Sequence, residues 1–224
     1  MGETIQLEDC LGERFIGAGA SDARIEIEGI PGNALGAYLD GACVEVFGNA
    51  QDAVGDTMND GRIIIHGNVG DTAGYAMRGG EIYVKGDAGY RAGVHMKEYG
   101  DKRPVMVIGG CTGSFLGEYQ AGGLIIVLGL EAGRKGRPIV SNFPCTGMHG
   151  GMVVLKGDAV DAGILFPPQV DVRVVDAADC ALIAPFVRNY ALFFGADGDD
   201  ILQGPFTLVT PLSHNPYTRL YVAN

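Results

Sequence analysis

The sequence predicts an all-β protein, a parallel β-helix of about seven 19-residue coils with a partly helical C-terminal cap. Three observations lead to this prediction: a glycine period of 19 residues, an apolar alternation before each period, and the end of both patterns near residue 175. Internal repeats are considered first because a missed repeat leads to the wrong fold class.

Glycines recur once per period at a fixed phase, and we call them marker glycines. Four steps between them are 19 residues, whereas the steps to Gly110 and Gly157 are 24 and 28, which indicates insertions of 5 and 9 residues. The marker glycines are Gly29, Gly48, Gly67, Gly86, Gly110, Gly129 and Gly157. A GxxGxxxG motif adds the structural glycines Gly70, Gly74, Gly89, Gly93, Gly113 and Gly117. Such glycines predict corners, where a positive φ or a close backbone approach leaves no room for a Cβ atom.

Short strands are predicted immediately before the marker glycines. The positions four and two residues before each marker are apolar in all seven periods, from Ile25 and Ile27 to Val153 and Leu155, while the residues between them are mixed. Alternation with a period of two indicates a strand with one buried face. Repeated in one phase, such strands stack into coils that bury their apolar positions against the coils above and below.

The repeat divides the chain into three regions. Residues 1–24 lack the period and are predicted to form an N-terminal cap, residues 25–175 the β-helix, and residues 176–224 a helical and extended segment packed on the solenoid. Pro185 is expected to interrupt or kink the helical part. The outward position three residues before the marker is apolar in the five later coils. Either residues 176–224 or a partner subunit is expected to cover that face.

Composition excludes several classes of protein. The chain has 224 residues, is 47% hydrophobic and carries a formal charge of -11, which disfavours nucleic acid or an anionic membrane surface as the main partner. Its longest apolar run, 124–128, is too short to span a bilayer, and the N-terminus does not resemble a secretory signal. Five cysteines without a CxxC pair favour a reduced cytoplasmic protein. We therefore expect no metal in this chain.

Two insertion loops, 94–104 and 130–151, are predicted to enter at about the same side of the coil and concentrate positive charge. Cationic loops that protrude from a scaffold favour contact with an acidic partner or an anion. Met58, Met77 and Met148 share one phase, which fits either a packing ladder or an adaptable contact surface. The predicted partner contacts are His95, Met96, Lys97, Glu98, Tyr99, Lys102, Arg103, Arg134, Lys135, Arg137, Met148 and His149.

Catalytic motifs are scarce. The sequence has no GxSxG and no GxGxxG at dinucleotide-site spacing, and its four histidines, His214 among them, show no metal-ligand spacing. We therefore predict no catalytic residue in this chain. Two alternatives remain open, an independent hydrolase using Ser114 or His149 and a self-associating scaffold without an enzyme partner.

The segment GNVGDTAGYAMRGGEIYVKGDAGYRAG, with HMKEY and GMHGGMVVLKG, resembles the GXGXG β-helix domain of the glutamate synthase family. This domain closes the large subunit of glutamate synthase and recurs as a separate chain in archaeal-type glutamate synthases and N-methylglutamate synthases. One of the subunits of formylmethanofuran dehydrogenase is a more distant relative. The resemblance covers roughly residues 25–165. Gln51 and the shortened motif at Gly157 depart from it, which affects only the local corner geometry.

The resemblance implies a right-handed β-helix without a catalytic centre of its own. In the family it lies against an amidotransferase domain that releases ammonia from glutamine, and against an FMN and iron–sulfur synthase domain. Here position 2 is Gly2 instead of a nucleophilic cysteine, and there is no cysteine cluster. We therefore expect a coupling subunit of a hetero-oligomer, with the FMN and the iron–sulfur cluster in a partner subunit. An equivalent subunit of N-methylglutamate synthase is the alternative.

Overall fold

A computed structural model describes residues 4–213, except for five side chains within that range. Those side chains belong to Arg134, Lys135, Ala177, Ala178 and Cys180. His214 lies outside the described residues.

Strands form one sheet in the order β1-β2-β3-β4-β5-β6-β7-β8-β10-β9. The strands are β1 Thr4–Leu11, β2 Arg24–Ile30, β3 Asp40–Val46, β4 Asp60–Ile65, β5 Glu81–Val84, β6 Val105–Ile108, β7 Ala121–Val127, β8 Gly150–Lys156, β9 Val170–Val175 and β10 Phe206–Pro211. The helices are α1 Ala132–Lys135, α2 Ala184–Phe194 and α3 Gly198–Ile201, and a 3₁₀ helix spans Ala177–Ile183. Strands β1 to β8 pair in parallel, each with the next, which confirms the predicted parallel β-helix.

The interior of the solenoid is built from the predicted apolar positions. In register, Ile65 lies opposite Val84, Val84 opposite Ile108, and Ile108 opposite Val127. All fourteen positions, four and two residues before the seven marker glycines, are buried in one core cluster. The alternation therefore identified the inner face of each strand because every coil repeats the same phase.

The glycines serve two different purposes. At the marker glycine Gly67, an added Cβ atom would lie 2.6 Å from the Gly48 carbonyl oxygen of the preceding coil, so close stacking excludes a side chain. Gly55 lies in a turn on the opposite side, has a φ of +68°, and would bring a Cβ atom within 2.5 Å of Ile82 Cδ1. In the last coil Cys145 occupies the equivalent turn position at a φ of +58° and is fully buried.

Polar side chains after the marker glycines link successive coils. Asn49 Oδ1 accepts the backbone N–H of Asn68 at 2.8 Å, and Asn68 Oδ1 accepts that of Asp87 at 2.7 Å. Asp87 Oδ1 then accepts the N–H of Cys111 at 2.8 Å. The phase that predicts turn residues therefore also provides a hydrogen-bond column along the solenoid axis.

The N-terminal segment continues the sheet. Within the predicted cap, residues 4–11 form β1, which pairs in parallel with β2 through a register shift between Leu7 and Cys10. The strand lacks the apolar alternation because most of its side chains are exposed. Residues 1–24 thus include the first strand of the sheet as well as the turn that leads into β2.

The chain covers the outer face of its own later strands. Tyr83, Val107, Ile126 and Val154, which we call the outer strand surface, pack in a second core cluster with side chains of α2, α3 and β10. The sequence left two possible covers for this face, residues 176–224 or a partner subunit. The structure shows that residues of the C-terminal segment cover it. Pro185 lies in the first turn of α2, directly after the 3₁₀ helix, where its missing N–H leaves no hydrogen bond unmade, so the helical stretch changes type beside Pro185 and α2 itself is not broken.

The end of the solenoid is also covered. Strand β10 pairs antiparallel with β8 on one side and with β9 on the other, so the edge of β8 is not open. Within residues 4–213, no helix combines the length and apolar character needed to cross a membrane.

Candidate partner-binding surfaces

Loop 94–104 forms a compact hairpin at the corner before β6. Tyr99 and Lys102 each donate a backbone N–H to the other's carbonyl, at 3.2 and 3.1 Å. The Glu98 carboxylate accepts the Gly123 backbone N–H at 3.1 Å, which fastens the hairpin to β7. Lys97, Glu98 and Tyr99 are exposed, Tyr99 by 71%, so these three predicted contacts are accessible to a partner.

The other cations of this loop are paired within the chain. Lys102 Nζ lies 3.0 Å from Asp60 Oδ2 and 3.4 Å from Asp40 Oδ1, and Arg103 Nε lies 3.5 Å from Glu98 Oε1. Hydrogen bonding between Lys102 and Asp60 lowers the pKa of the carboxyl group and raises the pKa of the ammonium group. The loop therefore offers less uncompensated positive charge than its sequence indicates.

The second insertion has the nine residues that its step of 28 predicts, but it occupies only the first part of the predicted loop 130–151. After α1 and the left-handed Gly136, Val140 already pairs with Thr112 in the regular coil pattern. The additional residues are therefore 130–138, and residues 139–151 form a standard coil. Arg137 Nη2 lies 2.8 Å from Asp87 Oδ2, so this predicted contact is also paired within the chain.

The prediction that both insertions enter at the same side is wrong. The backbone N–H of Lys97 still donates to the Met77 carbonyl of the preceding coil, as in the other coils. The first insertion therefore lies between Lys97 and β6, so it precedes a strand. The second lies between β7 and Val140, so it follows a strand. Spacing between glycines assigns an insertion to a period but not to one of its corners, which is why the sequence did not separate them.

The methionines form a packing ladder. Those in one column are Met58, Met77, Met96 and Met148, and all four are fully buried. Met96 and Met148 were predicted as partner contacts, and the structure corrects this because their side chains fill the interior. Gln120 occupies the step between them, also fully buried, and its Nε2 donates to the carbonyl oxygens of Gly122 and Gly123 at 3.1 and 3.2 Å. The shared phase of this column is the signal that would have found Gln120.

A group of aromatic side chains lies on the turn side of the later coils, away from α2. We call it the aromatic turn surface, and it comprises Tyr75, Tyr90, His95, Phe115, Tyr119 and Phe143. The His95 and Tyr119 rings stack with centroids 5.2 Å apart and an interplanar angle of 11°, and the Phe115 and Phe143 centroids are also 5.2 Å apart. Tyr75, Tyr119 and Phe143 remain exposed by 40%, 37% and 61%.

Arg91 lies against two rings of this surface. Its guanidinium carbon lies 4.9 Å from the Tyr90 ring centroid and 5.4 Å from that of Phe115, and its Nε lies 2.9 Å from Glu118 Oε2. Glu118 is nearly buried, so the ion pair holds the guanidinium against both rings. Of the predicted contacts, only His95 belongs to this surface. The remaining residues of the aromatic turn surface were missed in the sequence because corner residues do not follow the strand alternation.

The candidate catalytic residues are not brought together. Ser114 Oγ accepts the backbone N–H of Asn142 at 3.3 Å, and His149 Nδ1 lies 3.0 Å from the Gly147 carbonyl oxygen. Within the described residues no hydrogen bond joins Ser114 to a histidine, so the pair expected of a hydrolase is absent there. The same residues include no group of three His, Cys, Asp or Glu side chains placed to hold a metal ion.

Known proteins resemble this chain in sequence or in fold. An uncharacterized protein of Methanocaldococcus jannaschii, MJ1350, is 41% identical over 225 residues, covering 97% of this chain and 85% of the relative. In fold, the chain is similar to a chain of the formyltransferase/hydrolase complex FhcABCD from Methylorubrum extorquens, solved with methylofuran. That similarity has a TM-score of 0.58 at 24% identity and covers 85% of this chain and 66% of the other.

The family model described as GXGXG motif matches residues 4–204. This range contains every marker glycine, the parallel strands that pair from coil to coil, and the helices that cover the outer strand surface. The match confirms the family predicted from the glycine motifs. This chain belongs to the GXGXG motif family.

Proposed function

We propose that the chain is a structural and coupling subunit of a glutamate-synthase-like complex. In this role it holds an amidotransferase subunit and an FMN-dependent synthase subunit in register, so that ammonia passes between them without loss to solvent. The observation that carries the proposal is the family match over residues 4–204, which covers the parallel strands of the solenoid and the helices α2 and α3. The FMN and the iron–sulfur cluster belong to the partner subunit in this proposal.

The architecture suits a subunit that positions others. Eight strands pair in parallel along the solenoid, and asparagine and aspartate side chains bond from coil to coil, so each coil constrains its neighbours. A stack of this kind presents surfaces at fixed spacings of about 4.8 Å per coil. Rigid presentation lowers the entropy lost when partners bind, which favours a stable assembly.

Among the predicted contacts, the exposed ones remain proposals. Lys97, Glu98 and Tyr99 project from the hairpin before β6, and the loop that holds Arg134 and Lys135 follows β7. Because these loops lie at opposite corners of the coil, we propose that each contacts a different catalytic subunit.

Copurification tests the proposal. The affinity-tagged chain is expressed from its own locus, purified at low ionic strength, and analysed by mass spectrometry and flavin absorbance, with the untagged strain as control. We expect an amidotransferase and a flavoprotein, together with formation of glutamate from glutamine and 2-oxoglutarate under reducing conditions. Recovery of neither catalytic subunit would show that the proposal is wrong.

The runner-up is the equivalent subunit of an N-methylglutamate synthase. Both versions use the same solenoid, because selection of the amine takes place in the catalytic subunits. The purified complex distinguishes them when it is supplied with 2-oxoglutarate, a reductant and either glutamine or methylamine, and the products are separated by chromatography. Glutamate as the product supports the first version, and N-methylglutamate supports the second.

A further inference from the structure

We propose that the aromatic turn surface is the docking surface for a different protein, whose contact face has an apolar centre and a basic edge. This inference deepens the proposed function by assigning the face that a partner contacts, and it rests on that function only for the identity of the partner. Of its six residues, His95 lies in the predicted loop 94–104 and Phe143 in the predicted loop 130–151, and the other four lie outside both.

The first argument is that the fold does not require aromatic rings at these positions. Each turn holds residues at positive φ, and the position of Tyr119 (φ +53°) is taken by Thr57 (+52°) and Ala76 (+49°) in earlier coils. The position of Phe115 (+62°) is likewise taken by Ala53 (+58°). A bulky side chain is disfavoured in this conformation, and small residues achieve the same backbone, so the rings need another explanation.

The second argument is composition. Tyrosine, phenylalanine and arginine are the residues enriched at the centres of protein interfaces, and exposed apolar patches on soluble proteins usually mark contact sites. Arg91 is already fixed between the Tyr90 and Phe115 rings by its pairing with Glu118. A partner that docks here does not have to order this side chain, which reduces the entropy lost on binding.

The third argument identifies the edge of the partner. Asp52, Asp56 and Asp71 lie in the turns of the two preceding coils, and Asp71 Oδ1 accepts the backbone N–H of Tyr90 at 2.8 Å. Among the described residues no cation forms an ion pair with any of these three carboxylates. The aromatic turn surface therefore has an acidic border on its N-terminal side, which complements lysine or arginine side chains on the partner.

A second copy of the chain fits this surface poorly. Each copy carries a formal charge of -11, so two copies repel each other at long range, and the Arg91 guanidinium on the same face is already paired with Glu118. A protein with a basic edge gains attraction where a second copy meets repulsion. The proposal therefore commits to a heterologous partner.

Site-specific photo-cross-linking in the native complex tests the proposal. The photoreactive residue p-benzoyl-phenylalanine replaces Tyr119, or Leu192 as the matched control, which is 79% exposed on α2 on the covered side of the solenoid. The tagged complex is irradiated and the adducts are identified by mass spectrometry. We expect an adduct with another polypeptide from position 119, near lysine or arginine residues of that polypeptide, and none from position 192.

Variants that change the charge or the aromatic side chains of the surface distinguish docking from an adventitious adduct. The pair Asp52→Asn and Asp71→Asn removes two charges, while the amide oxygens still accept the N–H groups of the next coil, as Asn49 and Asn68 do. We expect the apparent association rate with the partner identified at position 119 to fall at least threefold at low salt, with a shallower salt dependence. The pair Phe115→Asn and Tyr119→Asn should weaken the Kd at least tenfold, whereas Ala76→Asn should leave it unchanged.

Each remaining outcome is decisive. Adducts from position 192 alone, adducts from position 119 to a second copy of this chain, or no adduct from either position overturn the docking surface. If the catalytic subunits copurify but cross-link only through position 192, the proposed function is supported and the docking surface is wrong. A partner at position 119 that is neither an amidotransferase nor a flavoprotein would retain the surface and remove the proposed function.

Discussion

The outer strand surface and the aromatic turn surface both repeat side chains from coil to coil, but the described C-terminal segment covers only the first. On the outer strand surface, Tyr83, Val107 and Ile126 are fully buried beneath α2 and β10. On the aromatic turn surface, Tyr119 and Phe143 contact neighbouring rings yet stay exposed by 37% and 61%. The comparison shows that a solenoid can satisfy one apolar column internally and leave another available.

The difference follows from backbone geometry. A strand presents its outward side chains as a flat apolar face, which a helix such as α2 can cover along several coils at once. A turn residue at positive φ points its side chain from a corner, and its rings contact mainly the rings one coil away. We therefore expect substitutions on the outer strand surface to change stability, and substitutions on the aromatic turn surface to change binding.

The largest effect is expected where α2 meets the strands. Val187 is fully buried against the outer strand surface, so Val187→Asp places a charge where no partner compensates it. We expect a loss of about 3–5 kcal/mol in the free energy of unfolding. Leu192→Asp, on the exposed side of the same helix, should change it by less than about 0.5 kcal/mol. Urea unfolding followed by circular dichroism measures both, and equal effects would contradict the assigned cover.

Close stacking of the coils gives the next effect. Gly67→Ala would place a methyl group 2.6 Å from the Gly48 carbonyl oxygen, and the backbone of one coil must shift to accept it. We expect a loss of about 1–3 kcal/mol in the free energy of unfolding. Gly133→Ala is the control because an added Cβ atom there meets nothing within 4 Å. If Gly67→Ala were as stable as this control, close approach would not explain the marker glycines.

The contrast between strands and corners also explains what the sequence could predict. Buried strand positions such as Ile65 and Val84 were recognisable because one alternation repeats in the same phase through seven coils. The corners carry no such alternation, so Phe115 and Tyr119 did not appear as members of one surface. Met96 was predicted as a partner contact, but its burial depends on which way the corner side chain points, and only the coordinates show that.

The positions of the two insertions were likewise not predictable from the sequence. A step of 24 or 28 residues reveals that residues were added, but the additional residues can lie at any corner of the period. Pairing of Val140 with Thr112 places the second insertion after β7, and that register is not readable from glycine spacing. The C-terminal helix was predictable as a helix, whereas the start of α2 at Ala184 required knowing that Ala177–Ile183 form a 3₁₀ helix.

A smaller effect on stability is expected from the aromatic turn surface. Tyr119→Asn removes a ring that stacks on His95, while asparagine accepts a positive φ more readily than most residues. We expect a loss of about 0.5–1 kcal/mol, the usual contribution of one exposed aromatic pair. Thermal unfolding of this variant beside Ala76→Asn, in the same column, isolates the ring. A loss as large as that of Val187→Asp would show that the rings serve mainly to hold the solenoid together.

The smallest effect concerns the hairpin before β6, where Lys102 pairs with Asp60 and Asp40. Because the pKa of Asp60 is lowered from 3.8 in the folded chain, its contribution is complete above about pH 4 and is lost as the pH falls through the folded pKa. The pKa of Lys102 is raised from 10.5, so its contribution is lost only as the pH rises through that raised value. Lys102→Met should remove the Lys102 dependence and reduce that of Asp60, whose carboxylate still accepts the Gly61 backbone N–H, and it should leave the sheet intact, since the ammonium is exposed. Hydrogen exchange of the Tyr99 and Lys102 amides at pH 3 and pH 6 measures this. Faster local opening at pH 3 is expected in the native chain, after correction for intrinsic exchange, and the variant should show a smaller difference. Equal protection at both pH values in the native chain would mean that the backbone hydrogen bonds hold the hairpin without the ion pair.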